Sequence, residues 1–380
     1  LLRSGTETVW QEYPRPQLRR DNYRMLNGLW RYAFTPAAQT QNASSRILPG
    51  NPIPAQGTIL IPFSPESLLS GVNRQLLPGE YLWYEKNISF SAEELARKAR
   101  GERCLLHFGA VDQQAAVYAD GQMLLSHTGG YLPFTADLTK FASDKPLLLQ
   151  VRVRDDSDTS YHARGKQTLN RGGMFYTAQS GIWQSVWYEW VPENYVASLK
   201  ITPDMDNGIV TLELKSKKPF SQVSCTVYEP ECFLEADQEV AAPANTFLKD
   251  VPWKNIKIEE IPCHPGGFTL TLPRERLKLW TPEEPYLYPF TLTADQDKVQ
   301  SYFALRSFTV ESGEKGIPRF CLNHKPYFLH GLLDQGYWPD GLMTAPCDPA
   351  FLWDIRLAKD AGFNMLRKHI KLEPLRWYYH

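Results

Sequence analysis

The chain has 380 residues, 43% hydrophobic and 22% charged, which calls for two or three packed domains and excludes a disordered polypeptide. Its 41 basic and 42 acidic residues leave a formal charge of −1, so no concentrated positive field exists to hold nucleic acid or an anionic membrane. No stretch reaches the roughly 18 consecutive apolar residues of a membrane helix.

Residues 1–192 read as one all-β domain. Asn27-Gly28 predicts a tight turn, because this pair tolerates the positive φ that such a turn needs. The large residues that follow to Phe34 alternate as a half-buried strand would. Pro and Gly dominate from Pro49 to Gly79, which reads as a long loop. Tyr81–Phe90 is the next strand. Ser91 then caps a short polar helix ending near Arg100, with Glu93 and Glu94 at its start and Arg97 and Lys98 at its end. Leu105–Asp112, Ala115–Ala119 and Gln122–Ser126 read as successive antiparallel strands, the last two joined by a hairpin at Asp120-Gly121. Tyr131–Leu138 and Lys145–Val153 continue the pattern. Gly181–Trp190 closes the domain with apolar residues at alternate positions. Many short strands at close spacing define a sandwich or jelly roll.

Residues 193–310 form a second all-β unit. Ala197–Thr202, Gly208–Leu214, Val223–Tyr228, Phe268–Leu272, Tyr286–Thr293 and Ser301–Leu305 are six of its strands, close to the about seven expected of an immunoglobulin-like sandwich. Residues 229–262 read as an insertion rich in Pro, Glu and Ala.

From residue 311 the pattern changes. Tyr327–Leu332 reads as a buried strand. Asp348-Pro349 opens a helix, with Asp348 as its N-cap, and Phe351, Leu352, Ile355 and Ala358 lie on one face. Gly362 supplies a left-handed stop. Phe363–Lys368 is a second strand, and Glu373–His380 starts another helix. Strand, helix, strand, helix is the opening of a parallel α/β unit.

Other features carry less. Eleven Trp and nineteen Tyr suit either sugar stacking or the aromatic core of large sandwiches. The six cysteines fall in no disulfide or metal spacing and read as small buried thiols. Cys263-His264 offers two adjacent zinc ligands without a second pair. Asp155, Asp156 and Asp158 could gather Ca²⁺ if carbonyls converged, but they read better as a solvated loop. Arg164–Gly173 lacks the phosphate-loop spacing and reads as a flexible connection. Ser180-Gly181 lacks the glycine two residues before the serine that a nucleophile elbow requires.

Together these segments resemble glycoside hydrolase family 2, the family of β-galactosidases, β-glucuronidases and β-mannosidases. Leu26-Asn-Gly-Leu-Trp30, Phe108-Gly-Ala-Val-Asp112, Asp120-Gly121, the run Gly129–Phe134 ending at Asp137, and Ser180–Trp187 carry the likeness in the first domain. Trp280–Tyr288 and Gly362-Phe-Asn-Met-Leu-Arg367 carry it further on. The resemblance implies a mainly β chain: a jelly-roll sugar-binding-type domain, an immunoglobulin-like sandwich at 193–310, and at 311–380 the first strands of a truncated (β/α)8 TIM barrel. It implies retaining hydrolysis of a β-glycoside, most like a β-galactosidase, by two glutamates on later barrel strands. No catalytic residue is then expected in this chain. Glu373 does not replace either glutamate, since a carboxylate is expected at a helix start anyway. The competing reading is a non-catalytic carbohydrate-binding or structural protein.

The resemblance also implies substrate-binding residues. Arg367 matches an arginine beside the nucleophile, which favours its ionised form. His369 follows where the family commonly has Ser-His-Tyr-Pro. Asp334 and Trp338 stand at the active-site end of the first barrel strand, suited to a sugar hydroxyl and a stacked ring; a turn-capping aspartate and a packed Trp account for them equally well. No cofactor and no metal are expected. The expected partner is a carbohydrate substrate, with no nucleic acid and no membrane, and self-association into a homo-oligomer is left open. No charged-then-apolar leader precedes Thr6, which leaves the compartment open and the cytoplasm slightly favoured.

Overall fold

The computed structural model describes residues 9–37, 47–229, 231–232, 255–256 and 267–380. Among the described residues the chain is mainly β, with three α-helices. In the first unit a six-stranded antiparallel sheet runs in the order Gly57–Ile61, Gly28–Pro36, Glu80–Ile88, Leu147–Arg154, Gln114–Ala119, Gln122–Thr128. A four-stranded sheet runs Tyr23–Met25, Val186–Val191, Arg103–Phe108, Phe134–Asp137. Their inner faces share one core containing Trp30, Tyr84, Leu106, Phe108, Val151 and Tyr188. Each buried aliphatic or Phe side chain there contributes about 1.5–3 kcal/mol over exposure to water.

Local chemistry explains several details. Asp120 and Gly121 take φ of 45° and 80°, the two left-handed positions that the tightest hairpins require. Ser91 and Glu94 form a reciprocal capping box at the start of the helix Ala92–Ala99. Asn27-Gly28 is not a hairpin turn. Only Gly28 has positive φ, 111°, and the flanking strands lie in different sheets. The Asn27 amide instead donates to Trp10 O at 2.7 Å and accepts from Val186 N at 2.9 Å, pinning the crossing. The Pro49–Gly79 loop contains an edge strand, Gly57–Ile61, whose flanking Gly and Pro hid it. Val186–Val191 is buried on both faces, since Tyr188 packs in the core while Trp187 and Glu189 are covered by Tyr13, Arg15 and His107.

The second unit pairs Ser198–Asp204, Ile209–Lys215 and Gly267–Thr271 in one sheet. Val223–Tyr228, Tyr286–Ala294 and Asp297–Phe303 lie in another, with the short Glu231–Cys232 and Asn255–Ile256 at its sides. Val210, Leu212, Phe268, Phe290 and Phe303 lie in their shared core. Most of the 229–262 insertion, and Cys263-His264, lie outside the described residues. Arg20 joins the two units. Its guanidinium makes two bonds to Asp297 (2.8 and 2.7 Å), one to Glu189 (3.1 Å) and one to Val196 O (2.8 Å), and it is 4% exposed.

The last segment begins with the hairpin Phe308–Ser312 and Pro318–Leu322. Gly331–Asp334 and Met365–Lys368 then pair in parallel through the helix Asp348–Asp360. The first of these strands lies four residues beyond the Tyr327 start read from the sequence, and it is exposed rather than buried. Phe328 is 83% and Leu333 53% exposed, because among the described residues the face of the pair that carries Leu333 and Arg367 stays open. Asp348 does not cap the helix. Cys347 occupies the N-cap, and the Asp348 carboxylate forms a two-bond pair with Arg376 (2.5 and 2.6 Å). Gly362 ends the helix as expected, with φ 87° and bonds from Gly362 N to Lys359 O and Phe363 N to Ala358 O. The final helix is only Leu375–Tyr379, so Glu373 lies before it rather than at its start. Trp10 anchors the N-terminal segment to this region, donating to Ala345 O at 2.9 Å and packing on Phe351.

Candidate functional site at the ends of the parallel strands

At the carboxyl ends of the two strands, four charged side chains meet beneath a glycine. Lys368 donates to Asp334 Oδ2 (2.6 Å) and Glu373 Oε1 (2.7 Å). Lys371 approaches the same Glu373 oxygen at 2.8 Å and donates to Gly336 O at 2.6 Å. Asp334 Oδ1 accepts from Gly336 N at 2.8 Å, and Asp334 O accepts from His369 N at 2.9 Å. The side chains of Lys371 and Glu373 are essentially dry, at 0% and 1% exposure. Burial lowers the Lys371 ammonium to about 8, against the opposing pull of Glu373. Glu373 Oε2 is buried without a hydrogen-bond partner. Lys368 also lies 4.4 Å from the Trp377 ring centre, a cation–π contact.

Gly336 has φ +65°, and a Cβ there would fall 2.2 Å from Glu373 Oε1 and 2.9 Å from each lysine Nζ. Only glycine therefore lets the backbone sit on this cluster. The next two residues are held from other directions. Tyr337 stacks on Tyr176 of the first unit at 3.8 Å and 9°, and Trp338 packs edge-on to Phe351. The first unit also approaches from its Arg164–Gly173 loop, where a Cβ on Gly165 would fall 2.7 Å from Ile370 O. That loop is not merely a connection. Gln167–Thr168 pairs in parallel with Tyr176–Thr177.

The four residues read from the sequence are brought to one end of the strand pair but not to one face. Leu333 pairs with Arg367 and Asp334 with Lys368, and successive strand residues point to opposite faces. Asp334 and Lys368 share the helix side, where Asp334 helps burial raise the Asp354 carboxyl. Arg367 points to the other face and is exposed, with no bonded partner among the described residues. His369 is half-buried and tied to the first strand through its backbone. Lys368, Lys371 and Gly336 escaped the sequence reading, in which Glu373 counts only as a helix-start carboxylate. The available signal was two lysines and a glutamate within six residues of a strand end, at Lys368, Lys371 and Glu373.

A second charged cluster lies inside the first unit. Asp155 is not a solvated loop residue: it is 4% exposed and accepts from Ser157 N (2.8 Å) and Ser180 Oγ (2.9 Å). Burial raises it, raises Asp112 well above the carboxylate range, and lifts Glu66 to about 8 despite bonds from Leu76 N and Ser180 N. Among the described residues no group of three or more His, Cys, Asp or Glu could hold a metal ion. Cys104, Cys225 and Cys321 are buried free thiols and Cys347 is a half-buried one. Trp10, Trp30, Trp83, Trp183, Trp187 and Trp190 are core residues.

The same chain path recurs in solved glycosidases. A β-glucuronidase of Ruminococcus gnavus superposes with a TM-score of 0.71 at 18% identity, covering 97% of this chain and 57% of that one. A structure of that organism's enzyme in complex with D-glucuronic acid gives 0.70 at 19% identity, covering 98% and 60%. By sequence, the β-glucuronidase of Streptococcus agalactiae serotype V is 22% identical across 84% of this chain and 50% of its own length. The β-galactosidase of Thermoanaerobacter pseudethanolicus is 23% identical across 66% and 31%. The chain thus spans half or less of these curated relatives. Residues 194–306 match the family profile described as Glycosyl hydrolases family 2. The relatives matched along the rest of the chain are named as β-glucuronidases and β-galactosidases, so the likeness to that family extends beyond the profile.

Proposed function

We propose that this chain is the N-terminal part of a retaining β-glycosidase. Residues 1–192 are its jelly-roll domain, 193–310 an immunoglobulin-like sandwich, and 311–380 the start of a (β/α)8 barrel whose later strands carry the catalytic carboxylates. The observation that carries the reading is the uncovered apolar surface of the parallel pair and its helix. Phe328, Leu332, Leu333, Trp353 and Leu357 are 83%, 37%, 53%, 67% and 58% exposed. Parallel strands are stable when both faces are covered, which the remaining strands and helices of a barrel provide.

Retention requires two carboxyl groups roughly 5–5.5 Å apart, one protonated to assist the leaving group and one ionised to attack C1. Glu373 fits neither role here, because both flanking lysines already bind its one bonded oxygen and its side chain is dry. Arg367, on the uncovered face, keeps the incoming nucleophile ionised. Asp334, His369 and Trp338, at the same end of the strand pair, line the sugar subsite, Asp334 retaining lone pairs beyond its two bonds for a hydroxyl. The substrate is a β-linked glycoside. A β-galactoside is the reading from sequence, and a β-glucuronide is named for several relatives.

The test is hydrolysis of a panel of chromogenic β-glycosides by the 380-residue chain and by the full-length product of its gene. Turnover by the longer protein alone is the expected result, and the preferred sugar identifies the substrate. Turnover by the 380-residue chain would overturn the placement of the carboxylates.

A further inference from the structure

We propose that Glu373 is a positioning residue for the sugar subsite. It gathers Lys368 and Lys371 so that the loop Asp334–Trp338 is held in the shape that binds substrate. The inference rests on the strand-end reading above and deepens it.

Three observations carry it. At its Asp334–Gly336 end the loop has one internal anchor, the bond from Gly336 N to Asp334, and two from the charged cluster: Lys371 on Gly336 O and Lys368 on Asp334. Both lysines converge on a single Glu373 oxygen, 2.7 and 2.8 Å away, so one carboxylate sets the position of both. Gly336 sits directly on that oxygen, with no room for a Cβ. Arrangement and burial also exclude a direct role. Glu373 and Lys371 have 1% and 0% side-chain exposure, so neither reaches a ligand. Asp334, at 28%, is open to one.

The charge balance explains why the cluster is built this way. Two lysines and two carboxylates sum to zero, which makes a dry ionic cluster tolerable in the interior. Lys371 alone would be a costly buried ammonium, and burial already weakens its hold on the proton. Removing the Glu373 charge leaves two lysines against Asp334. Lys371 then gives up its grip on Gly336 O or its proton, and the loop loosens.

The experiment compares Glu373→Gln with the parent in the full-length gene product, using the best chromogenic glycoside of the panel. KM is expected to rise about tenfold while kcat stays within about threefold, the signature of a misplaced binding loop with intact chemistry. Lys371→Met, whose apolar stem fills the same space, is expected to give the same split and serves if Glu373→Gln does not fold. Hydrogen exchange in the 380-residue chain supplies a readout that needs no turnover. The Gly336 amide should exchange about tenfold faster in the variant, with the Asp348–Asp360 helix unchanged. A lowered melting temperature with unaltered KM, or unaltered exchange at Gly336, would overturn the proposal. If the parent itself turns over no glycoside, the glycosidase reading falls and the exchange result alone decides the role of Glu373.

Discussion

Arg20 bonds to both β units, and its removal should be felt by both. The guanidinium is 4% exposed and satisfies Asp297, Glu189 and Val196 O at once. In Arg20→Ala, Asp297 keeps only the bond from Val196 N at 2.8 Å, inside a site where it is 2% exposed. Glu189 is better protected. Burial works against its charge, but Arg15, His107 and Arg20 together hold it well below the usual carboxylate range, and Arg15 remains at 2.5 Å. The loss is therefore dominated by one stranded carboxylate, about 3–5 kcal/mol. The double variant Arg20→Met with Asp297→Leu removes both charges and should recover most of that loss, since apolar replacement of a buried pair is nearly neutral. Urea unfolding followed by tryptophan fluorescence reads both. A loss under about 1 kcal/mol in Arg20→Ala, or a double variant as unstable as the two single losses added, would refute the reasoning.

Three further expectations concern pH and a helix end. Glu66 has its folded pKa raised from 4.5 to about 8, so its contribution is complete below pH 4.5 and disappears as pH rises through 8. The melting temperature should fall between pH 5 and pH 9, and Glu66→Gln should reduce that fall; an identical fall in the variant counts against the assignment. Asp348 has the opposite sign: burial opposes its charge, but Arg376 and His380 bring it from 3.8 to about 2, so its contribution is lost only as pH drops through that interval. Gly362→Ala should cost about 1–2 kcal/mol, purely from the left-handed backbone, because nothing lies within 4 Å of the added Cβ. An unchanged melting temperature would contradict that account.

The sequence made the strands legible wherever one face is wet. Ser198–Asp204 alternates exposed and half-buried positions, and the Asp120-Gly121 hairpin declares itself by residue type alone. It misled where tertiary partners override local signals. Asn27-Gly28 serves a crossing between sheets because Asn27 has long-range bonds to Trp10 and Val186. Asp348 looked like a cap, yet a buried Arg376 28 residues away captures its carboxylate. The candidate site was half legible. Asp334, Trp338, Arg367 and His369 could be placed at strand ends, but their division between two faces depends on register. The Lys368–Glu373–Lys371 cluster showed in the sequence only as charges near a strand end, because its parts meet only once Gly336 folds back onto them.

The bond from Trp10 to Ala345 spans 335 residues of sequence. A ribosome adding about 5–20 residues per second needs roughly 20–70 s to cover that distance. Through that interval the indole of Trp10 and the surface around Phe63 and Leu69 wait without the Ala345 and Phe351 they finally bury against. The first unit can assemble its sheets early, but its N-terminal strap closes last. Synthesis rate and chaperone access during that wait therefore bear on yield as much as the stability of the finished fold does.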